Sequence, residues 1–531
     1  MSGPVEATPQ PAAPETRTAS RSLITLAVLF GQFISVMDIS VVNVSLPHMR
    51  GTFGADLSSI TWVATSYSIA QLIMICMTSW WSTLLGRKRF YLFSYVLFTL
   101  GSILAGTSTT FTQILVYRAI QGIGGGPLIP ISQAILRESY PPRLQGMAMA
   151  IFSMGVVLAP AMGPVVGGWL TEQYGWPWIF YINIPFCLAG MLLVHLHVQD
   201  PSYLKRGIKQ VDWGGILFLS VGMIGLQIVL ERGQEHNWFE SGFIVGWTAA
   251  TVVAILLLVV WEFRSNEPVV DFRLLRHLPL SVGSVIIMIF GLTLFGSTFI
   301  LPQFFQNLLR YTAYDSGIVL LPRGIALFLM MPLVGRLFNV ADSRLVMTFG
   351  LFCLLYSFYG LSHLSLEAGF WNLVHPLVIM GIGMPCIFVT NTTIAIRGVL
   401  PAETTAAASI YDLGRVIGGN MGFALLATLI ERRSAAHRVG LVGHVNEFNG
   451  SFVEYYGNLV NILVDQRIDP ATAHTKAYVI LDHLVNQQAA MLAYNDTFGF
   501  MMIISLGILP LVWILPGRLR SQSATSSPPP P

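Results

Sequence analysis

Charge is what this chain has least of. Only 10% of its 531 residues are Asp, Glu, Lys or Arg, against roughly 25% in a soluble domain. A chain this long, folded as the three or four soluble domains its length would suggest, could not coat its surface. The mean hydropathy of +0.65 points the same way. The formal net charge is only +3, and the basic residues are scattered over short loops, which excludes a nucleic-acid face. Cysteine is scarce too. Cys76, Cys187, Cys353 and Cys386 each lie inside an apolar run, with no Cys-x-x-Cys and no His/Cys cluster. They read as small buried hydrophobes, and disulfide or metal frameworks are excluded. No Gly-Lys-Ser/Thr phosphate loop is present, which excludes ATP-driven work. No His-Glu-x-x-His occurs, and Asp38 and Asp412 fall at different depths, which excludes the usual intramembrane proteases.

What the chain has in abundance is long apolar runs. A bilayer-crossing helix needs about 20 apolar residues. Runs of that kind lie near 23–46, 60–84, 90–108, 111–136, 145–170, 178–198, 212–231, 242–262, 280–302, 315–338, 345–363, 370–396, 404–430 and 495–516. The expectation is an all-α integral membrane protein of about fourteen transmembrane helices. An even number of crossings puts both ends on one side. One set of loops holds Arg87, Lys88, Arg89, Arg137, Arg143, Lys205, Arg206, Lys209, Arg264, Arg273, Arg276, Arg344, Arg397, Arg518 and Arg520, and the alternate short loops hold only Arg50, Arg232 and Arg310. The positive-inside rule therefore places both tails in the cytoplasm. The first run is too long for a signal-peptide core, contains Asp38 and lacks a cleavage site, so it reads as a retained helix.

Two landmarks recur along the chain. Gly122-Ile123-Gly124-Gly125-Gly126-Pro127 returns loosely as Gly381-Ile382-Gly383-Met384-Pro385, and Gly86-Arg87 returns as Gly335-Arg336. That suggests two six-helix halves with an extra helix pair between them, a transporter's plan. The expected organisation is a disordered tail (1–21), an N-terminal six-helix bundle (22–198), two linker helices (199–279), a C-terminal bundle (280–517) and a second disordered tail (518–531). The C-terminal bundle includes one long outer loop, 431–495. The second half of that loop has helical periodicity (Ala477, Ile480, Leu481, Leu484, Val485) and suits either a packed cap or a docking surface.

Intramembrane charges are costly and usually functional. Asp38, Arg118, Arg323 and the pair Asp412/Arg415 stand out. Burial and a nearby guanidinium push a carboxylate's proton affinity in opposite directions, so Asp38 could load and release a proton as its partner moves. Asp412 and Arg415, three apart, can pair on one helix, and they are a second candidate site for proton coupling beside Asp38 and Arg118. Arg323 could attract an anionic substrate. The glycines Gly122, Gly124 and Gly126 follow no strand and are no dinucleotide fingerprint; small residues let helices approach closely. Gly155, Pro160, Gly163, Pro164, Gly167 and Gly168 crowd the fifth run, where prolines bend a helix and free carbonyls. They mark a candidate rocking seam.

These residues resemble a known family. Asp38-Ile39-Ser40-Val41-Val42-Asn43-Val44-Ser45-Leu46-Pro47 is similar to the first-helix signature of the major facilitator superfamily's fourteen-helix drug:proton antiporters, the EmrB/QacA type. Arg118-Ala119-Ile120-Gln121-Gly122 resembles its fourth-helix motif, Gly155 to Gly168 its antiporter motif, and Trp178 to Pro185 the start of its sixth helix. Leu321-Pro322-Arg323-Gly324 and Arg415-Val416-Ile417-Gly418-Gly419 match more weakly. Gly126 to Pro130, Glu231-Arg232-Gly233, Asn237-Trp238-Phe239 and the long last loop resemble the EmrB type. The resemblance implies a major facilitator fold and proton exchange at Asp38 beside Arg118. It implies efflux of small amphipathic compounds from a bacterial inner membrane, with no cofactor beyond the proton gradient. It also implies a periplasmic adaptor and an outer-membrane channel as partners. Gln121 and Asn43 join Arg323 as candidate cavity residues. A dedicated exporter of one metabolite, such as a siderophore or fatty acid, is the alternative. One departure stands out: Gly86, Arg87, Lys88 and Arg89 keep the cytoplasmic-loop motif, but Thr83 and Leu84 replace its usual Asp-Arg pair. An inner-gate salt bridge built on that acid is not expected.

Overall fold

The computed structural model describes residues 18–55, 57–141, 144–200, 211–265, 267–338, 340–446 and 448–517. The expected disordered tails lie outside these residues, apart from 18–21, which already belong to the first helix. Thirteen helices are long and apolar enough to cross a bilayer, and a further bent pair makes a fourteenth span. In chain order they are α1 (Thr18–Phe53), α2 (Trp62–Leu85), α3 (Arg87–Gly106), α4 (Phe111–Ser139), α5 (Gln145–Tyr174), α6 (Trp178–His197), α7 (Trp213–Arg232) and α8 (Gly242–Arg264). Then come α9 (Leu278–Gln303), α10 (Ala313–Leu337), α11 (Ser343–Leu361), α12 (Phe370–Arg397) and α13 (Thr404–Val442), a shorter α14 (Gly450–Asp465), and α15 (Pro470–Ile514). The end where α1 begins is the proximal end, and the opposite one is distal.

The packing repeats itself. In the first half α1 lies on α5, α2 on α4, and α3 on α4. In the second half α9 lies on α13, α10 on α12, and α11 on α12. The pair α7 and α8 pack on each other and reach the halves through α2 and α13. This is the major facilitator architecture, two six-helix bundles with two inserted helices.

Glycines set the closest approaches. A Cβ on Gly122 would stand 2.4 Å from the Tyr67 carbonyl oxygen, and one on Gly124 would stand 2.3 Å from the Phe98 nitrogen. Both contacts are with backbone, so α4 touches α2 and α3 only because these positions carry no side chain. Gly86, at φ +85°, makes the tight turn between α2 and α3 that other residues resist. Its repeat counterpart behaves differently: Gly335 lies within α10, close against Gly146 and Ala150 of α5. The repeated Gly-Arg pair therefore marks a turn in one half and a contact between halves in the other.

The fifth helix bends as its prolines require. Its arms Gln145–Pro160 and Met162–Tyr174 meet at 44°. Pro164 has no N–H to offer the Pro160 carbonyl, and the Ser40 hydroxyl of α1 donates to that oxygen instead at 2.9 Å. The proposed rocking seam is corrected in one respect. Gly155 faces Gln32, Gly163 faces Ser40 and Gly167 faces Val41, so these glycines seat α5 on α1 within one half. Their spacing repeats on a single helix face, and that face looks at α1. The contact with the other half lies nearer the start of α5, at Gly146 and Ala150. Gly168 has open space around its Cβ position and takes no part in the packing.

The long loop is helical almost throughout. Helix α13 runs 39 residues, about 58 Å at 1.5 Å per residue, well beyond a hydrocarbon core of about 30 Å. It continues past the bundle, α14 follows, and α15 returns. Val460, Leu463, Ala473 and Ala477 form a small separate core between α14 and α15. Arg438 pairs with Asp482 at 2.8 Å, Arg433 and His437 reach Asp496 at 3.3 and 2.8 Å, and Gln487 donates to the Leu308 carbonyl at 3.2 Å. The helical expectation extends to both sides of the loop, and these bonds tie it to the bundle's distal end.

Candidate site around Asp38 and Arg118

Three helices meet at the Asp38 carboxylate in the first half. Helix α4 starts on a capping box, in which Thr110 accepts from the Gln113 backbone and the Gln113 side chain answers. Two turns later it presents Arg118 and Gln121, each fully buried. The glycine run that follows draws α4 against α2 and α3, close enough for both side chains to reach α1. Arg118 Nη1 donates to Asp38 Oδ2 at 2.5 Å, and Gln121 Nε2 donates to Asp38 Oδ1 at 2.8 Å. Asn183 Nδ2, from α6, donates to the same Oδ1 at 3.0 Å. Both carboxylate oxygens are thus met, and Asp38 keeps only 1% of its surface exposed.

A second layer holds the donors. Arg118 Nε donates to the Val63 carbonyl of α2 at 3.0 Å, and its Nη1 also reaches Gln121 Oε1 at 2.6 Å. The guanidinium lies over the Tyr67 ring at 4.3 Å and near the Phe180 ring at 5.7 Å. Such faces favour a desolvated cation. Ser102 on α3 accepts from Gln121 at 2.8 Å and from Asn183 at 3.3 Å. Arg118 Nη2 and Asn183 Oδ1 are enclosed and without hydrogen-bond partners. The knot is therefore tight on its carboxylate side and incomplete behind it.

Each sequence candidate has a definite place. Asp38 and Arg118 are together, as their chemistry suggested. Gln121, expected in the cavity, belongs to this knot. Asn43 stands exposed on α1, five positions past Asp38, apart from the knot. Asp412 and Arg415 pair on α13 at 3.0 Å, both 2% exposed, with Arg415 near the Phe295 ring at 5.8 Å. Asp412 Oδ2 and Arg415 Nη2 have no partner. Arg323, on α10, lies in the second half and donates to Ser297 and Met384. Sequence reasoning missed Asn183, Ser102 and Tyr67. Asn183 lay inside the sixth-helix motif, while Ser102 and Tyr67 gave no local signal.

The proximal end joins the halves. Arg137 of α4 donates to Thr404 Oγ1 at 3.1 Å and to the carbonyls of Arg397 and Val399 at 3.1 and 3.0 Å. An ion pair does form at the loop motif, but with a different acid from the one missing there. Arg87 is buried against Glu138, the last turn of α4. Lys88 is held by Asp200 and by the His195 carbonyl, and Arg89 is exposed. Nearer the distal end, Thr65 of α2 and Gln227 of α7 both donate to Glu231, and Asn420 of α13 donates to Gln227 at 2.7 Å. The inserted helix is thereby bonded to both halves.

The four cysteines are free, three of them buried. No group of three or more His, Cys, Asp or Glu suited to a metal occurs among the described residues.

Comparison with known proteins agrees with this architecture. The chain is 32% identical to the multidrug export protein EmrB of Escherichia coli (strain K12), over 92% of this chain and 94% of that one. It is 31% identical to EmrB of Haemophilus influenzae, over 92% and 95%. It is 29% identical to the fatty acid resistance protein FarB of Neisseria gonorrhoeae, over 94% and 97%. Among solved structures, the human organic anion transporter MFSD10 aligns with a TM-score of 0.56 at 12% identity, covering 91% of this chain and 99% of that one. The proton:xylose symporter XylE aligns at 0.53 and 14%, covering 93% and 96%. These two likenesses concern the fold. Residues 28–423 match the Major Facilitator Superfamily, and with the repeated packing of its helices the chain belongs to that superfamily of multi-pass membrane transporters.

Proposed function

We propose that this protein exports amphipathic toxic compounds across a bacterial inner membrane in exchange for protons, by alternating access of its two halves. The observation that carries this reading is the Asp38 knot. A buried carboxylate whose two oxygens are met by Arg118, Gln121 and Asn183 holds helices α1, α4 and α6 together through one titratable group. Protonating it removes the charge that Arg118 balances and loosens α1 from α4. Proton occupancy and helix position are then linked, which is what exchange requires. Arg137 joins the halves at the proximal end, a contact that alternating access would have to break. The positive-inside rule applied to the arginine- and lysine-bearing loops supports a cytoplasmic proximal end and cytoplasmic tails. The proton gradient alone supplies the energy.

The names of the Escherichia and Haemophilus relatives support a broad range of cargo. The Neisseria relative's name supports a second reading, in which a single metabolite such as a fatty acid is carried. The helical extension of α13, α14 and α15 would stand in the periplasm. Val439, Phe448, Ile462 and Val479 are exposed there, away from any apolar phase. That surface suits a periplasmic adaptor leading to an outer-membrane channel. Ile462→Asp with Val479→Asp should abolish adaptor capture while leaving export by the isolated pump intact; unchanged capture would remove the docking role.

Substrate-dependent proton efflux from energised inverted vesicles tests the main reading, with cationic, neutral and anionic amphiphiles. Wild type should dissipate part of the pH gradient on substrate addition, and Asp38→Asn should not. A wild type silent to every compound would overturn the exporter reading.

A further inference from the structure

Five arginines are buried among the described residues: Arg87, Arg118, Arg232, Arg323 and Arg415. Four of them rest against a carboxylate, namely Glu138, Asp38, Glu235 and Asp412. Arg323 does not. It is 8% exposed, and its Nη2 donates to Ser297 Oγ on α9 at 3.2 Å and to Met384 Sδ on α12 at 3.5 Å. It sits on the buried stripe of α10 that also carries Val319, Leu327 and Met331. A guanidinium taken out of water costs several kcal/mol unless an anion compensates, and a hydroxyl with a thioether compensates poorly.

Helices α1 and α9 hold equivalent positions in the two halves, each packed on its own fifth-position helix. In the first half a guanidinium crosses the bundle to a carboxylate on α1. In the second, a guanidinium crosses from α10 to a serine on α9. The Ser297 proton is already donated to the Leu294 carbonyl at 3.0 Å, so its oxygen can only accept from Arg323. Gly381 lets α12 come so close that a Cβ there would stand 2.4 Å from the Arg323 carbonyl oxygen, which fixes the arginine's place. Arg323 is thus held in place with no carboxylate among the described residues beside it.

We propose that Arg323 anchors a subsite for the carboxylate of an anionic amphiphile, the cargo's acid supplying the countercharge that no carboxylate among the described residues gives this guanidinium. This rests on the exporter reading and adds a substrate class to it. A guanidinium suits a carboxylate by charge and by its paired N–H groups.

The test uses three probes with one twelve-carbon chain, ending in a carboxylate, a trimethylammonium or an alcohol. Binding to the purified full-length protein is measured for wild type, Arg323→Met, Arg323→Lys and Ser297→Asp, with thermal unfolding as the folding check. Arg323→Met should weaken the carboxylate probe by about tenfold to a hundredfold, the range of a charge-assisted hydrogen bond, and spare the other two. Arg323→Lys should restore part of the loss. Ser297→Asp supplies an internal acid and should also expel the carboxylate probe while leaving the alcohol bound. Carboxylate binding unchanged in Arg323→Met or in Ser297→Asp would overturn the subsite, and so would an equal loss of all three probes. The two readings fail separately. If wild type moves protons with a cationic compound but its carboxylate binding ignores Arg323, only the subsite falls; if wild type moves protons with nothing, the exporter reading falls.

Discussion

Each half of this transporter buries an acid–arginine pair, and the two pairs are built differently. Asp38 and Arg118 come from different helices, and the carboxylate is shared with Gln121 and with Asn183 of a third. Asp412 and Arg415 are three residues apart on α13, and each leaves one polar atom without a partner. An ion pair within one helix travels with that helix, so no helix movement can change its length. A pair spanning α1 and α4 changes whenever those helices shift. Only the first can report helix position to a proton, or proton occupancy to helix position. The second stabilises α13 or tunes its surroundings, and its short local geometry gives it no lever on the rest of the bundle.

The sharpest break of this comparison is Asp38→Asn, which should reduce coupled export to background in the vesicle assay while the protein remains folded, because the amide fills the same space. Next in size is Arg118→Met. It leaves a buried carboxylate unpaired, a loss of about 3–5 kcal/mol, visible as a large fall in melting temperature. Adding Asp38→Asn to it should recover part of that loss, the coupling expected of neighbours. Asp412→Asn should do less. The amide oxygen still accepts from Arg415, so stability should drop by about 1–3 kcal/mol, with substrate-driven proton movement retained. The smallest effects separate the glycines. Gly122→Ala meets the α2 backbone and should cost about 1–3 kcal/mol by overpacking, whereas Gly168→Ala meets nothing and should stay within about 0.5 kcal/mol.

Much of this was legible in the sequence because the bilayer imposes simple rules. Apolar length gave the fourteen spans, and the rarity of charge inside them pointed to Asp38, Arg118, Arg323, Asp412 and Arg415 before any geometry was known. Pairing was legible only where it was local, as for Asp412 and Arg415. What sequence could not show was which faces meet across the bundle. Gln121 was expected in the cavity and lies in the knot, Ser102 gave no sign of joining it, and Gly155, Gly163 and Gly167 of α5 face α1 and not the other half. The same limit hid Glu138. The loop motif lacks its usual acid, and the buried Arg87 is met by an acid on the last turn of α4 instead. Such contacts depend on helix rotation, which spacing along one helix does not fix. The extension past the membrane was underread for another reason: helices α13 and α15 continue without a break, so no turn signal marked where the bilayer ends.

The most direct measurement is proton release by the purified protein in weakly buffered detergent solution when a transported amphiphile is added, comparing wild type, Asp38→Asn and Asp412→Asn. Wild type and Asp412→Asn should release protons to the same extent, and Asp38→Asn should release none. Release that survives in Asp38→Asn and vanishes in Asp412→Asn would contradict the account, moving the coupling site from the pair that spans helices to the pair that lies within one.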